Sequence, residues 1–354
     1  MRYLRVGAHD AERVRALLAK ENLLDRRMKV LNSARYVLLP LVIDGQKAIK
    51  VIGGVPKGAR IIEREGEPRI VRATYMDLLR KRLTKRELGM VARGYDVLGN
   101  IAIVELSGDL KGREQEVGRA IIETNKGIST VLAKSGPVSG VYRKRKLRHI
   151  YGAETYTATY RENGCTFVFD ARKAFFSGRL SFERGRVDRL AGNGERVAVA
   201  GAGVGPFAIE IAKHHPMSSV LAIELNRSAY VYMKRNIKLN KTGNVEPVQG
   251  DFRSVANARK GYADRVIVPM PTVSIDMLPS VFMIAKPAAT VHLYAFCRSD
   301  GVDALKERIK LTAHEHGRSA RFIGRREVRP YSRDEIEVVL DIRLGMRRRR
   351  ASAQ

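Results

Sequence analysis

The sequence predicts an α/β protein. Its C-terminal part forms a mostly parallel seven-stranded sheet with a terminal antiparallel hairpin, and two smaller α/β or α+β domains precede it. Three observations predict this. Strand-like runs recur between residues 196 and 343, with helical stretches separating the first six, the alternation of a parallel sheet covered on both faces. A glycine-rich turn, Gly201-Ala202-Gly203-Val204-Gly205, directly follows the first of those runs. The last two runs are joined only by the loop RPYSRD, which suits an antiparallel pair and is too short for a crossover.

The first segment, about 1–60, sets a helical stretch, AERVRALLAKENLLD (11–25), beside the strand-like runs YVLLPLVID (36–44) and AIKVIG (48–53). It reads as a small α/β module. The stretch VPKGARIIEREGEPRI (55–70) is rich in charge, Gly and Pro and reads as a linker or exposed hairpin. A middle domain, 61–170, holds a buried strand at NIAIVELS (100–107) and a helix at EQEVGRAIIETN (114–125). Near its end, VYRKRKLRHI (141–150) gathers Arg143, Lys144, Arg145, Lys146 and Arg148 between Tyr142 and Tyr151. No acid falls between Lys134 and Ile150, so this charge is locally uncompensated and suited to phosphate. The third domain, 171–343, carries the strands 196–200, 219–224, 244–249, 263–268, 289–296, 321–328 and 335–343. Residues 344–354 form a basic, disordered tail with an arginine run.

Composition narrows the function classes. The 354 residues include 66 Lys+Arg against 37 Asp+Glu, a net charge of +29, which suits a polyanionic partner. Two cysteines far apart, Cys165 and Cys297, exclude a disulfide framework and an all-cysteine zinc site. His214-His215 and His314-Glu315-His316 lack zinc-site spacing, so no metal is expected. The apolar runs are too short to span a bilayer and the N-terminus has no signal-peptide core. A soluble, cytoplasmic protein is therefore expected, with a monomer as the default state.

The glycine turn points to a nucleotide-like cofactor. Gly201, Gly203 and Gly205 let the backbone turn sharply and approach a ligand, and Pro206 suits the first position of a helix. Glu224, 19 residues beyond Gly205, ends the next strand, where an acid accepts from both ribose hydroxyls. A dinucleotide fingerprint needs glycine at the sixth position, and here that position is Pro206. The pattern instead suits S-adenosylmethionine, with Asp251, in VQGD, placed to accept the adenine amino group. A glycine turn in a cofactor-free fold is the competing reading.

Nearly the whole chain resembles the archaeal and eukaryotic type of tRNA (guanine-37-N1)-methyltransferase. The resemblance rests on YDVLGNIAIVE (95–105), RENGCTFVFDARKAFFSGRLSFERGRV (161–187), GAGVGPFAIEIAK (201–213), LAIELNRSAYVYMKRNIKLN (221–240) and DRVIVPMP (264–271). It implies a Rossmann-like class I methyltransferase domain, a small N-terminal domain at the tRNA outer corner and a middle domain on the anticodon arm. The substrate would be the guanine just 3′ of the anticodon. Guanine N1 carries a proton at neutral pH, so the site needs a base, and a cation or donor for the charge that builds on O6. By resemblance, Glu183 is the base. If the segment is helical, Arg179 at i−4 shares its face.

An arginine of the basic cluster would stabilise O6. Spacing favours Arg143, with Arg145 a close competitor, while Lys146, Arg148 and Arg184 would hold substrate. Phe175, Phe207 and Pro269 are placed at the cofactor, and Pro271 beside the target base. Two positions depart from the family pattern. Val199 replaces an acid in the first strand, and Pro269-Met270-Pro271 replaces Asn-Leu-Pro, whose Asn can bind the target base. Methylation of a wyosine precursor, transfer of the aminocarboxypropyl group of the same cofactor, and a non-catalytic RNA-binding role are the alternatives. A nicotinamide oxidoreductase ranks last.

Overall fold

The computed structural model describes residues 1–42, 48–50, 56, 58–69, 73–108, 110, 112–136 and 145–346. Arg143 and the residues of the tail beyond Met346 lie outside them. The chain divides into two compact units, Met1–Thr74 and Tyr75–Gln354.

In the first unit, β1 (Arg2–Gly7), α1 (Ala11–Lys20), β2 (Leu31–Asn32), β3 (Tyr36–Pro40) and β4 (Arg60–Glu63) form one layer of helix on an antiparallel sheet of order β2-β3-β1-β4. Val14 and Leu18 of α1 bury against Leu4, Val6 and Leu39, the apolar sides of alternating strands. Two sequence expectations are corrected here. Residues 48–50 of AIKVIG are helical, with 51–53 outside the described residues. Within 55–70, residues Arg60–Glu63 pair with β1 as an edge strand, because Ile61 and Ile62 give that charged stretch an apolar anchor.

The second unit opens with α2 (Tyr75–Leu79) and α3 (Lys85–Gly89), the latter started by a capping box between Thr84 and Glu87. A four-stranded sheet of order β5-β6-β7-β8 follows, built from β5 (Val91–Leu98), β6 (Ile101–Leu106), β7 (Thr130–Lys134) and β8 (Leu147–Gly152). Helix α4 (Glu114–Thr124) connects the parallel pair β6 and β7, packing Val117, Ala120 and Ile121 on the sheet. The hairpin β9 (Thr157–Glu162) and β10 (Cys165–Asp170) comes next.

After a 3₁₀ turn, Gly178–Leu180, come α5 (Ser181–Leu190), β11 (Arg196–Ala200), α6 (Pro206–His214), β12 (Ser219–Glu224), α7 (Arg227–Asn240) and β13 (Val245–Gln249). Then follow α8 (Phe252–Ala258), β14 (Ala263–Val268), α9 (Leu278–Ile284), β15 (Ala285–Arg298), α10 (Val302–Glu315), β16 (Arg318–Pro330) and β17 (Glu335–Met346). Asn236 and Asn240 of α7 bond the open edge of β10, meeting the N–H groups of Val168 (2.9 Å) and Thr166 (2.8 Å). The large sheet has the order β13-β12-β11-β14-β15-β17-β16. Its first five strands are parallel, and β17 inserts antiparallel between β15 and β16. That position fits β17, which is buried continuously from Ile336 to Ile342. β16 takes the edge, with half-buried and exposed residues alternating. Separate apolar clusters cover the two faces.

Candidate active site

The glycine turn sits where β11 ends. Gly201, Gly203 and Gly205 have φ of 62°, 59° and 92°, the left-handed region that disfavours other residues. A Cβ on Gly201 would lie 2.1 Å from the sulfur of Met270, so the loop and the segment after β14 close on each other only with glycine there. Across the switch point, the Gly203 N–H donates to Glu224 Oε2 (2.7 Å) and the Asn226 N–H to Oε1 (2.7 Å). Burial raises the Glu224 pKa, and those backbone donors act in the opposite direction. Asp251 caps α8, accepting from the Arg253 N–H at 2.7 Å, and its side chain is partly exposed. Pro206 is the first residue of α6. Phe207 lies beneath the loop in the core, its ring 5.9 Å from that of Tyr294. Val199 is fully buried in the same cluster, an apolar contact where an acid could stand. Pro269 and Pro271 are half-buried on either side of Met270.

This corner has the features of a site for a nucleoside-bearing cofactor such as S-adenosylmethionine. A left-handed glycine loop at the carboxyl ends of parallel strands faces a buried carboxyl on the neighbouring strand. The carbonyl of Phe175 adjoins it, 3.6 Å from where a Cβ on Gly203 would be. Arg145 reaches the same place. Its guanidinium lies 5.5 Å from the Phe175 ring centroid and donates to the Phe176 carbonyl at 3.1 Å. Lys146 and Arg148 are exposed on the same chain segment, and Arg148 pairs with Glu114 at 2.8 Å.

Glu183 lies on α5 and is 1% exposed. Its Oε2 accepts from Arg186 Nε (2.9 Å) and from the Tyr294 hydroxyl (3.0 Å). Arg326 Nε of β16 is 3.2 Å from Oε1 without being aligned for a hydrogen bond, and Oε1 has no hydrogen-bond partner among the described residues. The Arg326 guanidinium in turn lies 3.9 Å over the ring of Phe182, an exposed aromatic. Arg186 also donates twice to Asp341, at 2.7 and 3.2 Å. Asp341 accepts from His292 Nδ1 at 2.6 Å. Arginine only donates, so the Arg265 N–H 2.6 Å from His292 Nε2 fixes the Nδ1–H tautomer. Arg265 is held in turn by Glu195 at 2.6 and 2.9 Å. Burial lowers the His292 pKa despite Asp341 beside it. Burial works against the Asp341 charge, but His292 and Arg186 outweigh it and hold the carboxyl well below the usual range.

Two expected side chains go elsewhere. Arg179 does not share a helical face with Glu183: it lies in the 3₁₀ turn, where the chain winds with three residues per turn, and pairs with Asp96 of β5 at 2.7 Å. Arg184 is 2% exposed, with its Nη2 donating to Glu162 at 2.7 Å and its Nε 3.6 Å from Glu210. Asp341, His292, Tyr294 and Arg326 escaped the sequence reading. The usable signals were a lone histidine in the apolar run ATVHLYAF and an acid inside VVLDIR.

No helix among the described residues is long and apolar enough to cross a membrane, and none of their His, Cys, Asp and Glu side chains form a metal-binding group.

The doubly covered sheet, the order of its strands with the terminal strand inserted antiparallel, and the glycine loop facing an acid on the next strand define a class I methyltransferase. The TRM5/TYW2 methyltransferase domain matches residues 158–320, the TYW2 N-terminal domain residues 75–155, and the tRNA methyltransferase 5 N-terminal domain residues 4–47. The tRNA (guanine(37)-N(1))-methyltransferase Trm5b of Pyrococcus abyssi is 32% identical, over 97% of this chain and 98% of its own. The crystal structure of Trm5b from Pyrococcus abyssi superposes with a TM-score of 0.71 at 31% identity, covering 98% of this chain and 100% of that one. A tRNA(Phe) (4-demethylwyosine(37)-C(7)) aminocarboxypropyltransferase of Methanocaldococcus jannaschii is also 32% identical, over 70% of this chain and 96% of its own. The chain belongs to the archaeal and eukaryotic type of tRNA (guanine-37-N1)-methyltransferase family.

Proposed function

We propose that this chain methylates N1 of the guanine 3′ of the anticodon in tRNA, with S-adenosylmethionine as donor. The observation that carries this reading is the Glu183 carboxylate: one oxygen is fixed by two donors and the other, Oε1, has no hydrogen bond among the described residues. A base needs such an acceptor, free of a hydrogen bond and held rigidly. S-adenosylmethionine, when bound, supplies a methyl on a positively charged sulfur and leaves as the neutral thioether.

The loop Gly201–Gly205 with Pro206, Glu224 and Asp251 would hold the cofactor, with Phe175, Phe207 and Pro269 shaping its surroundings. The target base leaves the stack to reach the site. Glu183 takes the N1 proton as the new N–C bond forms, a contribution of about 10²–10⁴-fold. Negative charge developing on O6 is met by an arginine of the basic cluster. Arg145 already stands beside Phe175, and Arg143 is the alternative. Arg326 covers Glu183 and has to swing aside for the guanine, its charge then free for phosphate.

Residues 1–74 would read the tRNA corner, residues 75–170 the anticodon arm with Lys146 and Arg148 on phosphate, and the residues from 171 to the end of β17 would carry the chemistry, with Pro271 against the target base and the residues beyond Met346 against the RNA. Arg179, exposed and paired with Asp96 of β5, would serve RNA binding and not the proton transfer. One protomer with several domains suffices to span a tRNA, so the protein would act as a monomer.

The second reading, aminocarboxypropyl transfer, is favoured by equal identity to the wyosine-pathway relative. That relative matches 70% of this chain, whereas the guanine-37-N1 enzyme matches 97%. Labelled S-adenosylmethionine and tRNA transcripts with G or A just 3′ of the anticodon separate the two. Methyl label entering only the G transcript, with S-adenosylhomocysteine released, is the expected result. Methylthioadenosine in its place would establish the rival.

A further inference from the structure

We infer that Asp341 is a positioning residue for the proton transfer: by engaging both terminal nitrogens of Arg186, it restricts that guanidinium to a single N–H contact with Glu183. This rests on Glu183 being the base. The groups facing Glu183 are Arg186 from its own helix, Tyr294 from β15 and Arg326 from β16. Behind Arg186 stand Asp341 from β17, His292 from β15 and Arg265 from β14.

The directions of these bonds carry the argument. A guanidinium beside a carboxylate prefers the two-pronged pairing, which stabilises the anion strongly and occupies both oxygens. Here Arg186 spends its two prongs on Asp341, at 2.7 and 3.2 Å, and offers Glu183 only Nε at 2.9 Å. Asp341 is itself pinned by the His292 Nδ1–H at 2.6 Å, a neutral donor that adds no charge. The charge of Arg265 behind His292 is matched by Glu195. The result is a carboxylate whose buried Oε1 carries no hydrogen bond, with Arg326 3.2 Å away, and whose neighbouring cation Arg186 is already compensated. Released from Asp341, Arg186 could turn both prongs onto Glu183, closing Oε1 and making its anion a poorer proton acceptor.

The test is single-turnover methyl transfer by the full chain, with saturating cofactor and guanine-containing tRNA, from about pH 5 to 9. Asp341→Asn should move the acid limb of the profile down by about one unit and lower the plateau roughly tenfold, since a weaker base transfers more slowly. Cofactor affinity should be unchanged. The double variant Arg186→Gln with Asp341→Asn, which removes both charges together, should return the limb to the wild-type position. If Asp341→Asn does not fold by circular dichroism, Arg186→Gln alone serves, and should shift the limb upward through loss of the cation. A limb that stays at the wild-type pH in whichever single variant folds overturns the inference. Glu183→Gln run in parallel separates the two claims. Wild-type turnover in that variant removes Glu183 as base, whereas its inactivity together with an unmoved Asp341→Asn limb removes the role of Asp341 alone.

Discussion

Glu183 and Arg184 are neighbours on one helix, yet they enter two buried charge clusters of opposite design. Around Glu183, two acids (Glu183 and Asp341) face two arginines (Arg186 and Arg326), and formal charge balances. Around Arg184, two acids (Glu162 and Glu210) share one arginine. The surplus charge there is removed by a proton. Burial first, and Glu162 next, push the Glu210 pKa up to about 9. The lesson is that burial alone does not make a carboxylate reactive. The balanced cluster pairs each carboxyl with an arginine, faces the surface through Arg326 and leaves Glu183 Oε1 without a hydrogen bond. The unbalanced cluster is sealed, with Glu210 bonded to Asn163 at 2.8 Å, and it joins β9, α5 and α6.

Removing the shared cation should break the sealed cluster outright. Arg184→Ala leaves buried acids without their partner and should destabilise the protein by about 3–5 kcal/mol, read from chemical denaturation. An exposed-residue effect, under about 0.5 kcal/mol, would mean that this cluster is not structural. Tyr294→Phe sharpens the other half. It deletes one of the two donors to Glu183 Oε2 and should cost about 1.5–3 kcal/mol, the range for hydrogen bonds to charged groups. It should also raise the acid limb of the transfer rate, because the anion loses a donor.

The smallest effect is expected at Glu210. Folding raises its pKa from 4.5, so its contribution is fully present below that value and is lost as pH rises towards about 9. Glu210→Gln, which mimics the protonated form, should leave Tm at about pH 4.5 almost unchanged and flatten its decline from about pH 4.5 to 9. An equally steep decline in the variant would show that Glu210 is not the group responsible.

Much of this architecture was legible in the sequence because its signals are local. The glycine turn, Pro206 and Glu224 lie within 24 residues, and the runs of the parallel sheet are separated by their own crossover helices. The order of the last two strands is a matter of burial. β17 is buried on both faces from Ile336 to Ile342 and goes inside, whereas β16 alternates and takes the edge. The network behind Glu183 was not legible. Arg186 and Asp341 are 155 positions apart, and His292 and Asp341 are 49 apart, meeting only because β17 inserts beside β15. Arg184 misled for the same reason: nothing local distinguishes an arginine facing RNA from one whose partners are Glu162 and Glu210, on other elements. The spacing of Arg179 and Glu183 fits one helix face only if the helix begins before Ser181, and a 3₁₀ turn occupies that place.

The most direct measurement compares Glu183→Gln and Glu210→Gln in single-turnover methyl transfer to guanine-containing tRNA, with tRNA and cofactor binding followed alongside. The account predicts that Glu183→Gln binds both ligands and loses about 10²–10⁴-fold in rate, while Glu210→Gln stays close to wild type. Wild-type turnover by Glu183→Gln, with the loss falling on Glu210→Gln instead, would contradict it.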